Sequence, residues 1–187
     1  MDADRELVDR TLAGELAAFE ALVERHRDAV FRVAARIAGR AEAEDVSQNA
    51  FLRAFTSLSA FRADASFRVW LLRITRNAAL DERARRKAEP VDSVEALLEP
   101  SGVAEERKPA QQLESRERRE RLESKVRLLS PAHRVVLVLR DIEGLSYEQI
   151  SMVTETPLGS VKGRLHRARG ELVEILRHNT YDWELPA

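Results

Sequence analysis

The chain has no cysteine among its 187 residues, which excludes a disulfide framework, a thiol redox switch and a thiolate metal site. Glycine and proline number only 7 and 6, and aromatic residues make up 5%, so the turn and strand formers of a sandwich or barrel are scarce. No stretch approaches the roughly 18 consecutive apolar residues of a membrane span. The first residues include Asp2, Asp4 and Glu6, where a secretory leader would be basic. No membrane insertion and a cytoplasmic location are therefore expected. His26, His133, His166 and His178 are scattered without ligand spacing, so no metal and no cofactor is expected, and all but His166 read as surface or boundary residues. What is present is a chain dominated by Ala, Leu, Glu and Arg, with 44% hydrophobic and 34% charged residues. That composition predicts an all-α protein.

The formal net charge of −1 conceals a strong asymmetry. Met1 to Glu24 holds seven acids and two bases, whereas Arg68 to Lys87 holds seven bases against Asp81 and Glu82. A second basic stretch, Lys162 to Arg177, has five Lys or Arg against Glu171 and Glu174. Two separated basic helices in an otherwise acidic chain imply two contacts on a polyanion.

Apolar periodicity fails between Lys87 and Leu122, where Pro90, Pro100, Pro109 and a Ser101-Gly102 turn intervene. The pattern predicts two small helical domains, 1–87 and 123–179, joined by a flexible linker over 88–122, with a tail at 180–187. Helices are expected near Asp4–Ala13, Glu15–Ala38, Ala41–Ser59 and Ser66–Lys87, with a further one beginning in the mixed-charge run Glu114–Arg121. Ser130-Pro131 supplies an N-cap and a first-turn proline, and the apolar run Val135–Leu139 ends near Gly144. Ser146 and Gln149 form a capping box opening a short helix, Tyr147–Val153. Thr154-Glu155-Thr156 is a turn, and Thr156-Pro157 caps a long basic helix to about His178. Two helices across a tight turn, the second basic, make a helix-turn-helix.

On the last helix, Leu158, Val161, Leu165, Ala168, Leu172 and Leu176 share the face that packs on the core. The opposite face carries Gly159, Ser160, Gly163, His166, Arg167 and Gly170, flanked by Lys162, Arg164 and Arg169. Arginine and lysine reach guanine edges or phosphates, and an interior glycine, which weakens a helix by about 1 kcal/mol, lets DNA approach the backbone. On the helix Ser66–Lys87, Phe67, Trp70, Leu71, Ile74 and Ala78 form the apolar stripe. Arg68, Arg76 and Arg83 lie opposite with Asn77 on the flank, a face suited to phosphates, and the preceding loop Phe61–Ser66 offers a ring, amides and hydroxyls to an unstacked base. On Ala41–Ser59 the apolar arc is Val46, Ala50, Phe51, Ala54, Phe55 and Leu58. Leu52 falls outside it, among Asp45, Gln48 and Asn49, and suits a protein contact.

These surfaces, in this order, resemble the extracytoplasmic-function group of bacterial sigma factors across nearly the whole chain. The segment Ala43 to Phe55 is similar to the family's core-polymerase-binding segment. Phe67, Trp70-Leu71, Arg73-Ile74, Asn77, Asp81 and Arg85-Arg86 are similar to its minus-10 helix. Gly144 to Ile150 and Pro157 to Arg169 are similar to its helix-turn-helix for the minus-35 element. The resemblance implies that Asp45, Gln48, Asn49 and Leu52 dock on the polymerase, whose beta-prime clamp helices and beta subunit are the expected partners. It implies that Phe61, Arg62, Asp64, Ser66, Arg73, Arg76, Asn77 and Arg83 serve the melted minus-10 element. Ser160, Lys162, Gly163, Arg164, His166, Arg167 and Arg169 would then read the minus-35 duplex. It further implies promoter DNA and an anti-sigma protein as partners, a linker in the RNA exit path, and catalysis left to the core polymerase, so that the chain is not itself an enzyme.

Three positions depart from the family pattern. Asn49 stands where an acid is usual, Glu155 where glycine is common in the turn, and Gly163 where a hydroxyl residue is commoner. The alternative class is a stand-alone helix-turn-helix regulator whose first domain binds a ligand or dimerises. It would bind DNA without polymerase. A nucleic-acid-processing enzyme lacks the clustered acids or nucleophile-base pair it would need.

Overall fold

Alternating arcs of alanine, leucine and valine against charged residues account for the elements seen. The computed structural model describes residues 3–62, 65–88, 121–122 and 124–178, and among these every regular element is helical. The first run comprises α1 (Ala3–Leu12), α2 (Leu16–Ile37), α3 (Ala43–Thr56) and α4 (Phe67–Ala88). The second comprises a helical segment at 124–128, then α5 (Pro131–Leu137), α6 (Tyr147–Thr154) and α7 (Leu158–Arg177). Most of the linker and the tail at 180–187 lie outside the described residues.

Where the elements differ from expectation, side chains competing for the backbone explain it. The third helix stops at Thr56, and Leu58–Ala60 form a separate 3-10 turn. Ser57 Oγ donates to the Arg53 carbonyl at 2.5 Å and Thr56 Oγ1 to that of Leu52 at 3.0 Å, which offers the chain an alternative to a further helical turn. Ser130 stands at the N-cap of α5 with Pro131 following, yet its side chain makes no cap; its backbone N–H instead donates to Glu171 of α7 at 3.2 Å. Pro157, not Thr156, is the N-cap of α7. The capping box of α6 forms as the spacing predicts: Gln149 N–H donates to Ser146 Oγ at 3.2 Å and Ser146 N–H to Gln149 Oε1 at 2.8 Å.

After α5 the backbone widens into a π turn, Val138–Ile142. Glu143 N–H closes onto the Val138 carbonyl and Leu145 N–H onto that of Leu139, both at 3.0 Å. Gly144, at φ +70, takes the left-handed conformation that reverses the chain between them. Helix ends of this kind usually only stop the helix. Here the turn also sends the Glu143 side chain inward.

Two apolar clusters hold the chain together. One lies within the first run and joins Val8, Leu22, Val30, Ala50, Ala54, Leu58, Phe67, Trp70 and Leu71. The other crosses between the runs: Ala29, Val33 and Ile37 of α2 and Val69, Leu72 and Ala79 of α4 are continuous with Val135, Leu139, Ile150, Val153, Val161 and Leu165. The two runs therefore share a core, where the linker had suggested separate ones. The sequence carried the signal for this. Val69, Leu72, Arg76, Ala79 and Arg83 recur at intervals of three and four outside the predicted stripe, a second seam on α4.

Candidate nucleic-acid interface

The reading helix α7 separates its faces as its periodicity demands. Val161, Leu165 and Ala168 are buried, with Leu158, Leu172 and Leu176 half-buried on the same side. Gly159, Ser160, Lys162, His166, Arg167, Arg169 and Gly170 are exposed. Gly163 and Arg164 are half-buried. A Cβ at Gly159 or Gly170 would meet nothing within 4 Å, so no packing among the described residues demands glycine there. At Gly163 it would lie 3.9 Å from Arg167 Nη2, because the Arg167 side chain folds back along the helix beside it.

Two of the flanking cations are already engaged. Arg169 pairs with Asp141 of the π turn, and Arg164 Nη1 donates to Thr156 Oγ1 at 3.2 Å. Lys162 Nζ stands 5.9 Å above the Tyr147 ring, on whose face the Arg140 guanidinium also lies at 4.9 Å. These contacts orient the flanking charges around an exposed centre formed by Ser160, His166 and Arg167.

The second predicted surface is arranged differently. Phe61 is half-buried, its ring tilted against Trp70 at 5.3 Å and edge-on to Phe67 at 5.8 Å. Arg62 and Ser66 are exposed, and Ser66 Oγ accepts from Val69 N–H at 3.4 Å; Asp64 lies outside the described residues. On α4, Arg73, Arg76, Asn77 and Arg83 are all only half-exposed, because this face packs against α6. The basic face expected to be free for phosphates is thus covered by the helix-turn-helix run.

Beside the shared apolar core, this junction carries ionic contacts. Glu143, whose side chain is 0% exposed, takes Arg32 Nε and Arg68 Nη2, each at 2.8 Å. Arg68 also donates twice to the Glu143 carbonyl at 3.2 Å. Glu155, at φ 52 in the turn between α6 and α7, stands 3.8 Å from Arg73. That is the acid found where the family commonly has glycine. Like charges also meet here: Arg76 faces Arg164 as well as Glu155, and burial lowers its pKa. Arg76 Nε and Arg83 Nη1 are buried without a hydrogen-bond partner among the described residues. Arg134 donates to the carbonyls of Val126, Arg127 and Leu129. Burial, with Arg83 and Arg127 nearby, brings its pKa down to about 10, so it is still charged at neutral pH.

The polymerase-facing residues expected on α3 share one exposed strip, Asp45, Gln48, Asn49 and Leu52, with Leu52 at 64% exposure. Phe55, expected in the apolar arc, is instead partly outside it at 41% exposure, held edge-on by Phe19 at 4.9 Å. His26 also departs from expectation. It is buried, with Nε2 2.9 Å from Asp4 of α1 and its ring 5.5 Å from Phe67. Burial lowers its pKa despite the opposing pull of Asp4, which favours the neutral imidazole beside Phe67. Its place in the apolar spacing of α2, four residues after Leu22 and three before Ala29, was the signal that it faces inward.

A pair of helical runs, the second ending in a helix-turn-helix whose second helix is basic on its exposed side, defines a helix-turn-helix DNA-binding protein. Residues 22–89 match the family Sigma-70 region 2 and residues 119–172 match Sigma-70, region 4. The RNA polymerase sigma-H factor of Pseudomonas aeruginosa is 35% identical over 184 residues, covering 94% of this chain and 95% of the relative. The ECF RNA polymerase sigma-E factor of Escherichia coli is 34% identical over 172 residues, covering 89% and 90%. Among solved structures, CnrH in complex with the cytosolic domain of CnrY is similar at a TM-score of 0.72 and 29% identity, covering 96% of this chain and 100% of that one. The sigma factor RpoE from Bartonella quintana shares the fold at a TM-score of 0.66 and 21% identity, covering 86% of this chain and 98% of that one. The chain belongs to the extracytoplasmic-function group of RNA polymerase sigma factors, non-catalytic factors that direct transcription initiation at promoters.

Proposed function

We propose that Ser160, Lys162, Gly163, Arg164, His166, Arg167 and Arg169 on and around the exposed face of α7 read the minus-35 duplex, with Arg167 as the base reader. The loop residues Phe61, Arg62, Asp64 and Ser66, with Arg73, Arg76, Asn77 and Arg83 of α4, serve the melted minus-10 strand. Asp45, Gln48, Asn49 and Leu52 dock on the polymerase clamp. The working units are 1–87 and 123–179, joined by 88–122. The chain acts in the cytoplasm beside the polymerase, leaves all bond-making to it, and answers to an anti-sigma partner; the similar CnrH was solved with a cytosolic domain of CnrY bound.

The observation that carries the reading is the exposed centre of α7, where Ser160, His166 and Arg167 stand clear between cations held in place by Thr156, Tyr147 and Asp141. Such a helix enters a major groove, and an arginine at its centre reaches base edges while flanking ones meet phosphates. The test is capture of purified core polymerase by the tagged chain, followed by run-off transcription from a promoter library. Duplex DNA binding without polymerase capture would make it a stand-alone regulator.

A further inference from the structure

The turn between α6 and α7, Thr154-Glu155-Thr156, has no glycine, and side chains hold its shape instead. Ser151 Oγ of α6 donates to the Thr156 carbonyl at 2.6 Å, and Thr156 N–H donates back to the Ser151 carbonyl at 3.2 Å. This pair brackets Glu155, which takes the left-handed conformation at φ 52. The Thr156 hydroxyl is fixed in turn. Its single proton goes to the Thr154 carbonyl at 3.0 Å, so it presents only lone pairs to Arg164, whose Nη1 donates to it at 3.2 Å. Glu155, the acid nearest in sequence, stands against Arg73 at 3.8 Å.

The two flanking arginines of α7 are thus held by opposite chemistry. Asp141 holds Arg169 with a carboxylate, which competes with any phosphate for the same guanidinium. Thr156 holds Arg164 with a neutral hydroxyl, which occupies one N–H group and brings no competing charge. An arginine that is already ordered gives up less rotamer freedom on binding. We propose that Thr156 is a positioning residue for the minus-35 duplex: its hydroxyl aims the Arg164 guanidinium at a backbone phosphate at the edge of the groove. This inference rests on the reading of α7 as the minus-35 helix. Both ends of the contact lie within the helix-turn-helix, eight residues apart, so it travels with that unit onto DNA. The sign of the effect separates the two holders. Loss of the Asp141 carboxylate releases a cation from an acid and strengthens binding, whereas loss of the Thr156 hydroxyl loosens a cation and weakens it.

The test uses holoenzyme reconstituted from the full chain and core polymerase, with the duplex promoter fragment that the wild type selects from a library randomised across the minus-35 element. Failure of the wild type to select any sequence there overturns the minus-35 reading and this inference with it. Thr156→Val keeps the β-branched shape before Pro157, the backbone contact to Ser151 and the net charge, and removes only the hydroxyl. It should weaken binding about fivefold, the scale of ordering one long side chain, and alike for all minus-35 sequences. Thr156→Ser restores the hydroxyl and should recover wild-type affinity. Arg164→Ala should weaken binding at least as much as Thr156→Val. The decisive comparison is the double variant. In the Arg164→Ala background Thr156→Val should have no further effect, because the hydroxyl acts only through that guanidinium. A defect of the turn itself would weaken binding in both backgrounds and lower the urea midpoint, and that result overturns the positioning role. Wild-type affinity in Thr156→Val overturns it as well. Wild-type affinity in Arg164→Ala, with promoter selection intact, overturns the phosphate contact while leaving the minus-35 reading in place.

Discussion

Asp141 accepts two hydrogen bonds from the Arg169 guanidinium, at 2.5 Å from Nη2 and 3.2 Å from Nε, and so ties the flank of the reading helix to the π turn after α5. Both groups are well exposed, so the pair adds little to stability. Its consequence lies in DNA binding. Asp141→Asn frees Arg169 and removes an acid beside the groove. Affinity for duplex DNA should rise for all sequences alike, with the slope of log K against log salt steepening by about one phosphate contact. Titrations at several salt concentrations measure this, and an unchanged slope would show that Arg169 meets no phosphate.

Arg167 should behave differently from Arg169. It stands exposed at the centre of the face, beside Gly163, free of an acidic partner among the described residues. Arg167→Ala is expected to cost about 1–3 kcal/mol at the preferred base and to flatten discrimination at that one position. Arg169→Ala should weaken every sequence equally. Transcription by reconstituted holoenzyme on a library randomised across the minus-35 element separates the two, and uniform loss in Arg167→Ala would reduce it to a phosphate contact.

On α3, Asp45→Ala and Leu52→Ala remove exposed side chains that support no core. Unfolding free energies should stay within the small range of surface substitutions, about 0.5 kcal/mol. Affinity for core polymerase should fall about tenfold, the scale of a moderate interface residue. Wild-type affinity in both variants, measured by surface capture of the polymerase, would move the docking face elsewhere.

His26 predicts a pH dependence. Burial holds its folded-state pKa below the ordinary 6.5, so the unfolded chain takes up the proton first. Its contribution to stability is therefore intact above about pH 6.5 and is lost as pH falls through the folded value. The His26 imidazole should take up its proton only below the ordinary histidine value of about 6.5. Proton NMR titration reads this directly, and a midpoint at or above that value would contradict the buried neutral state.

Ser146→Ala should destabilise the helix-turn-helix run by about 1 kcal/mol, since it removes one arm of the capping box that opens α6. Ser130→Ala should cost less, because the Ser130 side chain caps nothing and only its backbone is used. Urea unfolding of the two variants side by side tests the order.

The elements and the exposed basic face of α7 were legible in the chain because they rest on local patterns. The capping box needs two residues three apart, and the exposed side of α7 follows from the spacing of Val161, Leu165 and Ala168. The exposed strip Asp45, Gln48, Asn49 and Leu52 was visible for the same reason. Phe55 was misplaced because it sits at the boundary of an arc, where the neighbouring helix, through Phe19, decides which way the side chain turns. His26 was misplaced because its polar residue type outweighed its place within the apolar spacing of α2, where Asp4 of α1 partners it.

By itself the sequence determined an all-helical chain, the helix-turn-helix with its basic reading helix, and membership of the sigma family, since periodicity, caps and motif spacing act within a few residues. Only the tertiary structure decided what covers the second seam of α4, and so that its basic face lies under the second run. Glu143 meets partners 111 and 75 residues earlier in the chain, and nothing local distinguishes it from the other glutamates that remain in water. Whether a carboxylate ends as a solvated charge or as the buried partner of two arginines depends on which helices pack together. That choice is made by long-range burial of Val69, Leu72 and Ala79 against the second run.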